Sequence, residues 1–261
     1  MTETLKKPLT VVKVGGAVLE DVASLAVFLD RFVSLPGLKI LVHGGGRVAT
    51  KLSEQLNIVS RLVEGRRITD ANTLDVVTMV YGGLINKKTV AALQARGCNA
   101  GGFTGADMNL ISADKRPVKD IDYGFVGDIT RVNPEIFTLL LNNGITPVIA
   151  PLTHDGEGQL LNTNADTIAS EIAGALSALF SVSLVFCFEK PGVLSDPDND
   201  DSVIKDLTEA SYLSFKEHGI IHSGMIPKID NSFDALRKGV KQVIITSAST
   251  LDINSGTRIS L

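Results

Sequence analysis

The chain has 261 residues, 44% hydrophobic and 21% charged, a composition that supports a real core in one large α/β domain or in two lobes sharing a sheet. Its formal net charge of −4 gives no electrostatic footprint for nucleic acid or a membrane surface, and no apolar run approaches the ~20 residues of a membrane span. Cys98 and Cys187 stand in no metal or redox spacing and the N-terminus lacks a signal-peptide apolar region, so a soluble cytoplasmic protein is expected.

Leu9 to Val14 reads as a buried strand, and Val22 to Leu35 as an amphipathic helix with Val22, Leu25, Ala26, Leu29 and Val33 on one face, ended by Pro36-Gly37. A strand from Lys39 to His43 and a helix from Arg47 to Leu56 complete a βαβ unit, which implies a parallel sheet with ligands at the carboxyl ends of its strands. Arg61 to Val63 and Arg66 to Ile68, joined by Glu64-Gly65, form a predicted hairpin. A long helix follows, about Ala71 to Arg96, whose Val77, Val80 and Leu84 face either the core or a partner subunit. Short strands and turns fill Ala100 to Val132. Pro134 then opens a helix to Leu141, with Gly144 after it, and Ile145 to Ile149 reads as a central strand. The Asp155-Gly156-Glu157-Gly158 turn leads to Gln159 to Asn162, and a helix from Asp166 to Phe180 has Asn164 or Thr163 as its cap. A strand from Leu184 to Phe188, an acidic loop from Ser195 to Ser202, helices near Glu209 to His218 and Lys228 to Lys238, and a strand from Gln242 to Thr246 complete the reading. A lobe boundary falls near Phe180.

Two of these strands run straight into glycine. Val14-Gly15-Gly16 and His43-Gly44-Gly45-Gly46 each put bare backbone beside a helix start, where N–H groups and the helix dipole favour an anion. Ordinary strand-to-helix turns are also built from glycine, but two such loops, one carrying Lys13 inside its strand, point to phosphate. Other glycine-rich sites are excluded. No Gly-x-Ser-x-Gly elbow accompanies the His43 loop, neither loop is Gly-x-Gly-x-x-Gly, and no P-loop is present. Asp196, Asp198 and Asp200 mimic the start of a calcium loop, but Asp201 and Leu207 occupy the positions that need glycine and glutamate. The four histidines have no metal spacing, so capping or surface roles are expected for them. Asn162, Asn164 and Asp166 alternate at a strand-to-helix junction, as a polar cluster or as helix caps. Lys228, alone, reads as a surface lysine opening a late helix.

Taken in order, Lys13 to Gly16, His43 to Gly46, Asn162 to Asp166 and Gly224-Met225-Ile226-Pro227-Lys228 resemble the amino acid kinase family over essentially the whole chain. Together with Asn162 to Asp166, Glu64 to Thr69 is most similar to its N-acetylglutamate kinase branch. The resemblance implies a three-layer αβα sandwich with a central, mostly parallel sheet in two lobes. Residues 1–179 would bind the acyl-glutamate and dimerise, and residues 180–261 would bind ATP. It also implies ATP-dependent phosphorylation of the side-chain carboxylate of N-acetyl-L-glutamate or another N-acyl-glutamate, at the second step of arginine or ornithine synthesis. The alternatives are the same reaction on an N-acyl-2-aminoadipate, or a non-catalytic nucleotide binder.

By that resemblance Lys13 and Lys228 flank the transferring phosphoryl group and Asp166 holds them in place. Gly15, Gly16 and Gly45 cradle phosphate. Arg67 and Asn162 fix the α-carboxylate, with Gly45, Gly46 and Asn164 beside them. The nucleotide is bordered by Glu189, Lys190, Pro191, Gly192, Val193, Leu194, Ile220, Ile221 and His222. Mg²⁺ comes with ATP, and no metal site of the protein's own is implied. A carboxylate acceptor is already ionised at neutral pH and needs no general base. Two departures stand out, Glu189 where an aspartate is usual and a helix from Asp166 longer by about one turn. With Lys13 close to the N-terminus, a homodimer without arginine feedback is expected. The sequence leaves the acyl group open between acetyl and something bulkier such as succinyl, with the Arg61 to Arg67 hairpin and Asn99 to Asp107 shaping its pocket.

Overall fold

A computed structural model describes residues 6–63, 66–221, 225–252 and 254–261. In chain order the elements begin β1 (Pro8–Val14), α1 (Gly16–Glu20), α2 (Val22–Ser34), β2 (Leu38–His43), α3 (Gly46–Gln55), β3 (Arg61–Val63) and β4 (Arg66–Ile68). Next come α4 (Ala71–Val77), a π-helical stretch Thr78–Ile85, α5 (Asn86–Gln94), β5 (Ala100–Phe103), β6 (Ile111–Lys115), β7 (Gly127–Val132) and α6 (Pro134–Asn142). The chain continues through β8 (Thr146–Ile149), β9 (Leu152–His154), β10 (Leu160–Asn162), α7 (Ala165–Leu176) and β11 (Ser181–Phe188). It ends with β12 (Asp206–Thr208), α8 (Glu209–Glu217), α9 (Ile226–Arg237), β13 (Gln242–Ser247) and β14 (Thr257–Ser260).

Eight strands form the central sheet in the order β12-β14-β13-β11-β1-β2-β8-β5, parallel throughout except where β14 meets β13. β1 shows how the layers arise. Its alternate side chains face opposite ways: Leu9 and Val11 pack with Ile168, Ile172, Ile229 and Phe233 of α7 and α9, whereas Val12 and Val14 pack with Phe28, Leu29 and Phe32 of α2. Helices therefore cover both faces, as expected for a sheet of this kind. Strands from before residue 180 lie on one side of the β11–β1 seam and strands from after it on the other. The chain reverses its direction of travel across the sheet at that seam, where ligands of open α/β sheets bind.

Some expectations change. On α2, Leu29 is buried and Leu25 and Val33 pack against the core as expected, but Val22 is 83% exposed, and Phe28 and Phe32, one helical turn apart, are buried beside Leu29. The long helix is interrupted by the wide Thr78–Ile85 turns and ends at Gln94. Val77 and Val80 are buried, while Leu84 stays 43% exposed. The helix expected to reach Phe180 ends at Leu176, where the Ser177 hydroxyl donates to the carbonyls of Gly174 and Lys238, so the extra turn is absent. β12 and β14 were not anticipated. Each is short, and their pairing brings together segments about fifty residues apart. Among the described residues, no helix is long and apolar enough to cross a membrane.

Candidate active site

Lys13 continues the Leu9–Val11 face of β1 at the carboxyl end of the strand, where the sheet gives way to the start of α7. There its ammonium lies 2.7 Å from Asp166 Oδ1. Lys228, in the first turn of α9, approaches the other carboxylate oxygen at 3.9 Å. Both ammonium groups also sit over the ring of Phe188, at 5.3 and 5.0 Å from its centroid, a cation–π platform at the end of β11. Burial, reinforced by the charge of Lys13, holds the Lys228 pKa below the ordinary lysine value against the pull of Asp166. Three elements distant in sequence thus place two cations around one carboxylate.

The glycine loops abut beside them. Gly44 N–H donates to Val14 O, and a Cβ on Gly44 would stand 3.4 Å from Gly16 N. Gly16 opens α1 and Gly46 opens α3, so first-turn amides lack intrahelical partners there. The Gly15 N–H is committed to Cys187 O, so Gly15 offers closeness rather than a donor. Gly45 is required by packing, since a Cβ would meet Ile85 Cδ1 at 2.5 Å and the Tyr81 ring at 2.8 Å. The π-helical turns thrust those two side chains under the loop; such turns often mark functional sites.

His43 departs from its expected surface or capping role. It is fully buried, with Nδ1 2.8 Å from Gly44 O and Nε2 3.2 Å from Asn86 Nδ2. The Asn86 amide also donates to Val148 O, so it fits as donor to Nε2, leaving Nδ1–H to donate to Gly44 O. Burial lowers the His43 pKa to about 4. Neutral His43 braces the glycine loop from behind.

A cavity of about 190 Å³ opens from this point, lined by Gly44 to Gly46, Arg67, Tyr81, Asn162 and Asn164 among others. Arg67 is buried on β4. One of its terminal nitrogens donates to Gly46 O and Thr50 Oγ1, both at 2.8 Å, and the other donates to Ser60 Oγ. It forms no ion pair among the described residues, so its charge is held in place by neutral acceptors and remains to be met by a ligand. Asn162 donates from Nδ2 to Thr69 Oγ1 at 3.0 Å. Asn164 is the N-cap of α7, its side-chain oxygen accepting from the Asp166 and Thr167 amides, so it both lines the cavity and starts the helix carrying Asp166.

The amino acid kinase family model matches residues 8–247. The chain belongs to the amino acid kinase family. It is 58% identical to the acetylglutamate kinase of Bacteroides thetaiotaomicron over 255 residues, which cover 98% of this chain and 99% of that one. The acetylglutamate kinase of Bacteroides fragilis is also 58% identical, over 99% of each chain. Among solved structures, that of smu.665 from Streptococcus mutans superposes with a TM-score of 0.79 at 26% identity, covering 97% of this chain and 98% of that one.

The remaining expected residues that are described do not line this cavity. Glu189 pairs with Arg47 at 3.6 Å and Lys190 with Asp200 at 2.8 Å, both exposed. Gly192 is closely packed, its absent Cβ facing Val203 and Thr257 at 2.8 Å, and the side chains of Val193 and Ile221 belong to the core. Pro191, Leu194 and Ile220 are half-buried. His222, Gly224, Glu64 and Gly65 lie outside the described residues. Asn99 to Asp107 does not line the cavity. Its wall beside the Leu62 to Arg67 hairpin is instead Arg116, Val126, Gly127 and Asp128, from the β6–β7 hairpin. Sequence reading also missed Phe188, Tyr81, Thr50 and Ser60. Only Phe188, which ends a strand beside the expected nucleotide loop, carried any local signal.

Proposed function

We propose that this protein is an ATP-dependent kinase that phosphorylates the side-chain carboxylate of N-acetyl-L-glutamate or another N-acyl-glutamate, the second step of arginine or ornithine synthesis. The observation that carries the proposal is the Lys13–Asp166–Lys228 cluster beside a cavity holding Arg67, which has no anionic partner among the described residues. The acetylglutamate kinase relatives support the same substrate.

In this reading Arg67 and Asn162 hold the α-carboxylate, while the side-chain carboxylate points toward Lys13. An acceptor carboxylate oxygen attacks the γ-phosphorus of ATP, the P–O bond to the β-phosphate bridge breaks, and ADP leaves with that oxygen. No proton moves, because the acceptor is ionised from the outset. Such a step is accelerated by alignment and by neutralising spread charge, which two ammonium groups and the glycine-loop amides provide. Asp166 keeps the lysines from repelling each other apart before ATP arrives.

Mg²⁺ is assigned to the nucleotide. Its phosphate oxygens are hard ligands that suit magnesium. When bound, the ion neutralises phosphate charge. Residues 1–179 are assigned to acyl-glutamate binding and dimerisation, and residues 180–261 to ATP, bordered by Glu189 to Leu194 and Ile220 to His222. A cytoplasmic homodimer is proposed, and the exposed Met79 and Leu84 on the π-helical stretch favour that face for contact. Light scattering giving a monomer would refute the dimer.

An ADP-release assay with N-acetyl-L-glutamate, free glutamate and N-acetyl-2-aminoadipate tests the function. Turnover on N-acetyl-L-glutamate well above the other two is the expected result. Turnover only on free glutamate or the longer acid would overturn the substrate, and tight ATP binding without any ADP formed would overturn catalysis.

A further inference from the structure

The substrate cavity does not end at Arg67. A second hollow of about 430 Å³ adjoins it, and the two share Arg66, Arg116 and Asp128 in their walls. Successive residues of a strand face opposite ways. Arg67 therefore reaches down to α3, and Arg66 is left at the junction of the two spaces.

The charges there are unbalanced. Arg116 is clamped by Asp128, with Nε at 3.1 Å from Oδ1 and Nη2 at 2.5 Å from the same oxygen, and its guanidinium stacks at 5.5 Å over Tyr123. Its Nη1 is buried and has no hydrogen-bond acceptor. Arg66 forms no ion pair among the described residues. Among the described residues that line the substrate cavity, Arg66, Arg67 and Arg116 against Asp128 leave two positive charges in excess. The α-carboxylate answers one of them, at Arg67. With the side-chain carboxylate directed to Lys13, the remaining substituent of the substrate is its acylamino group, which is left facing Arg66 and Arg116.

We propose that Arg66 and Arg116 form a second anion subsite, and that the preferred substrate is an N-acyl-glutamate whose acyl group itself ends in a carboxylate. The inference rests on the acyl-glutamate reading above and narrows its substrate class. An acetyl methyl would leave Arg66 unanswered and the second hollow vacant. A four-carbon dicarboxylic acyl chain carries its terminal acid away from the amide, toward that hollow.

Three substrates separate charge from size: N-acetyl-L-glutamate, N-succinyl-L-glutamate and the neutral isostere in which the succinyl acid is a primary amide. The wild-type kcat/KM is expected to be roughly 10-fold or more higher on the succinyl compound than on either of the others, as fits an added hydrogen-bonded ion pair. In Arg66→Gln the succinyl-to-amide ratio is expected to collapse toward one, and in Arg66→Lys to recover in part. The ratio cancels any general loss of activity. A wild-type ratio near one, or a high ratio unchanged in Arg66→Gln, overturns the subsite and leaves the acyl-glutamate assignment standing. No ADP from any of the three overturns that assignment too.

Discussion

His43 offers a test of how the glycine loop is braced. In the folded chain it stays neutral down to a pKa of about 4, because burial penalises the imidazolium. In the unfolded chain it takes up a proton near the ordinary histidine value of 6.5. Between these values the unfolded state binds the extra proton, so stability falls as pH falls from 6.5 toward 4 and levels off below that. At about 1.4 kcal/mol per pH unit, the loss due to this one ring is about 3 kcal/mol, a large share of an ordinary stability of roughly 5–15 kcal/mol. The carboxylates of Asp21, Asp70 and Asp155 are held below their ordinary value by hydrogen bonds, so their contributions are lost at lower pH and do not obscure the window. The assay is urea unfolding followed by circular dichroism at half-unit pH steps from 7.5 to 4, on the wild type and on His43→Gln. The variant has no titrating ring, so its curve should lack the slope whatever its absolute stability. Parallel curves for the two proteins would refute the argument.

Three further outcomes follow from the same geometry. Because burial and Lys13 lower the Lys228 pKa, the alkaline fall in ADP release should begin below the ordinary lysine value of 10.5 and should vanish from the pH profile of Lys228→Arg; stability should rise with pH across the same window, since there the unfolded state binds the extra proton. Gly45→Ala should cost about 1–3 kcal/mol by overpacking against Ile85 and Tyr81, and pairing it with Ile85→Ala should change that cost by more than additivity allows, measured as a double-mutant cycle in urea. Asp166→Asn leaves two neighbouring ammonium groups without their carboxylate, so a loss of about 3–5 kcal/mol is expected, together with a lower kcat; unchanged urea midpoints would contradict the pairing.

The parts of the site that sequence made legible are those fixed by local rules. A strand that ends in glycine before a helix puts amides at its carboxyl end wherever it packs, and Asn164 two residues before Asp166 is a helix start in any context. The register of β1 between β11 and β2 then delivers Lys13 to the seam. What stayed hidden depends on tertiary neighbours. Arg116 and Asp128 belong to a hairpin that sequence reading gave only as short strands and turns, and nothing local says that it folds over the Arg66–Arg67 hairpin. Tyr81 looked like one more position on a long helix, and only the widened π turns press it beneath Gly45. His43 read as a surface group because its one acceptor partner is its neighbour's carbonyl and its other partner, Asn86, is forty-three residues away.

Two lysines converge here where one cation would bind a phosphate, and the reason is the acceptor. A hydroxyl acceptor must lose a proton, so a site for it needs a base. A carboxylate brings a full negative charge to meet an already negative phosphoryl group, so the site must screen two anions that repel. Lys13 and Lys228 on either side of Asp166 carry one net positive charge between them before any ligand arrives, and the shared Phe188 ring adds cation–π attraction without adding a competing anion. Asp166 is therefore placed where it limits the cost of burying two like charges while leaving the excess needed once ATP and the acceptor meet. A neutral side chain in its place would leave two positive charges to hold ATP at least as tightly, but would let the lysines repel each other out of line, which is why kcat, rather than affinity for ATP, is the quantity that Asp166→Asn should lower.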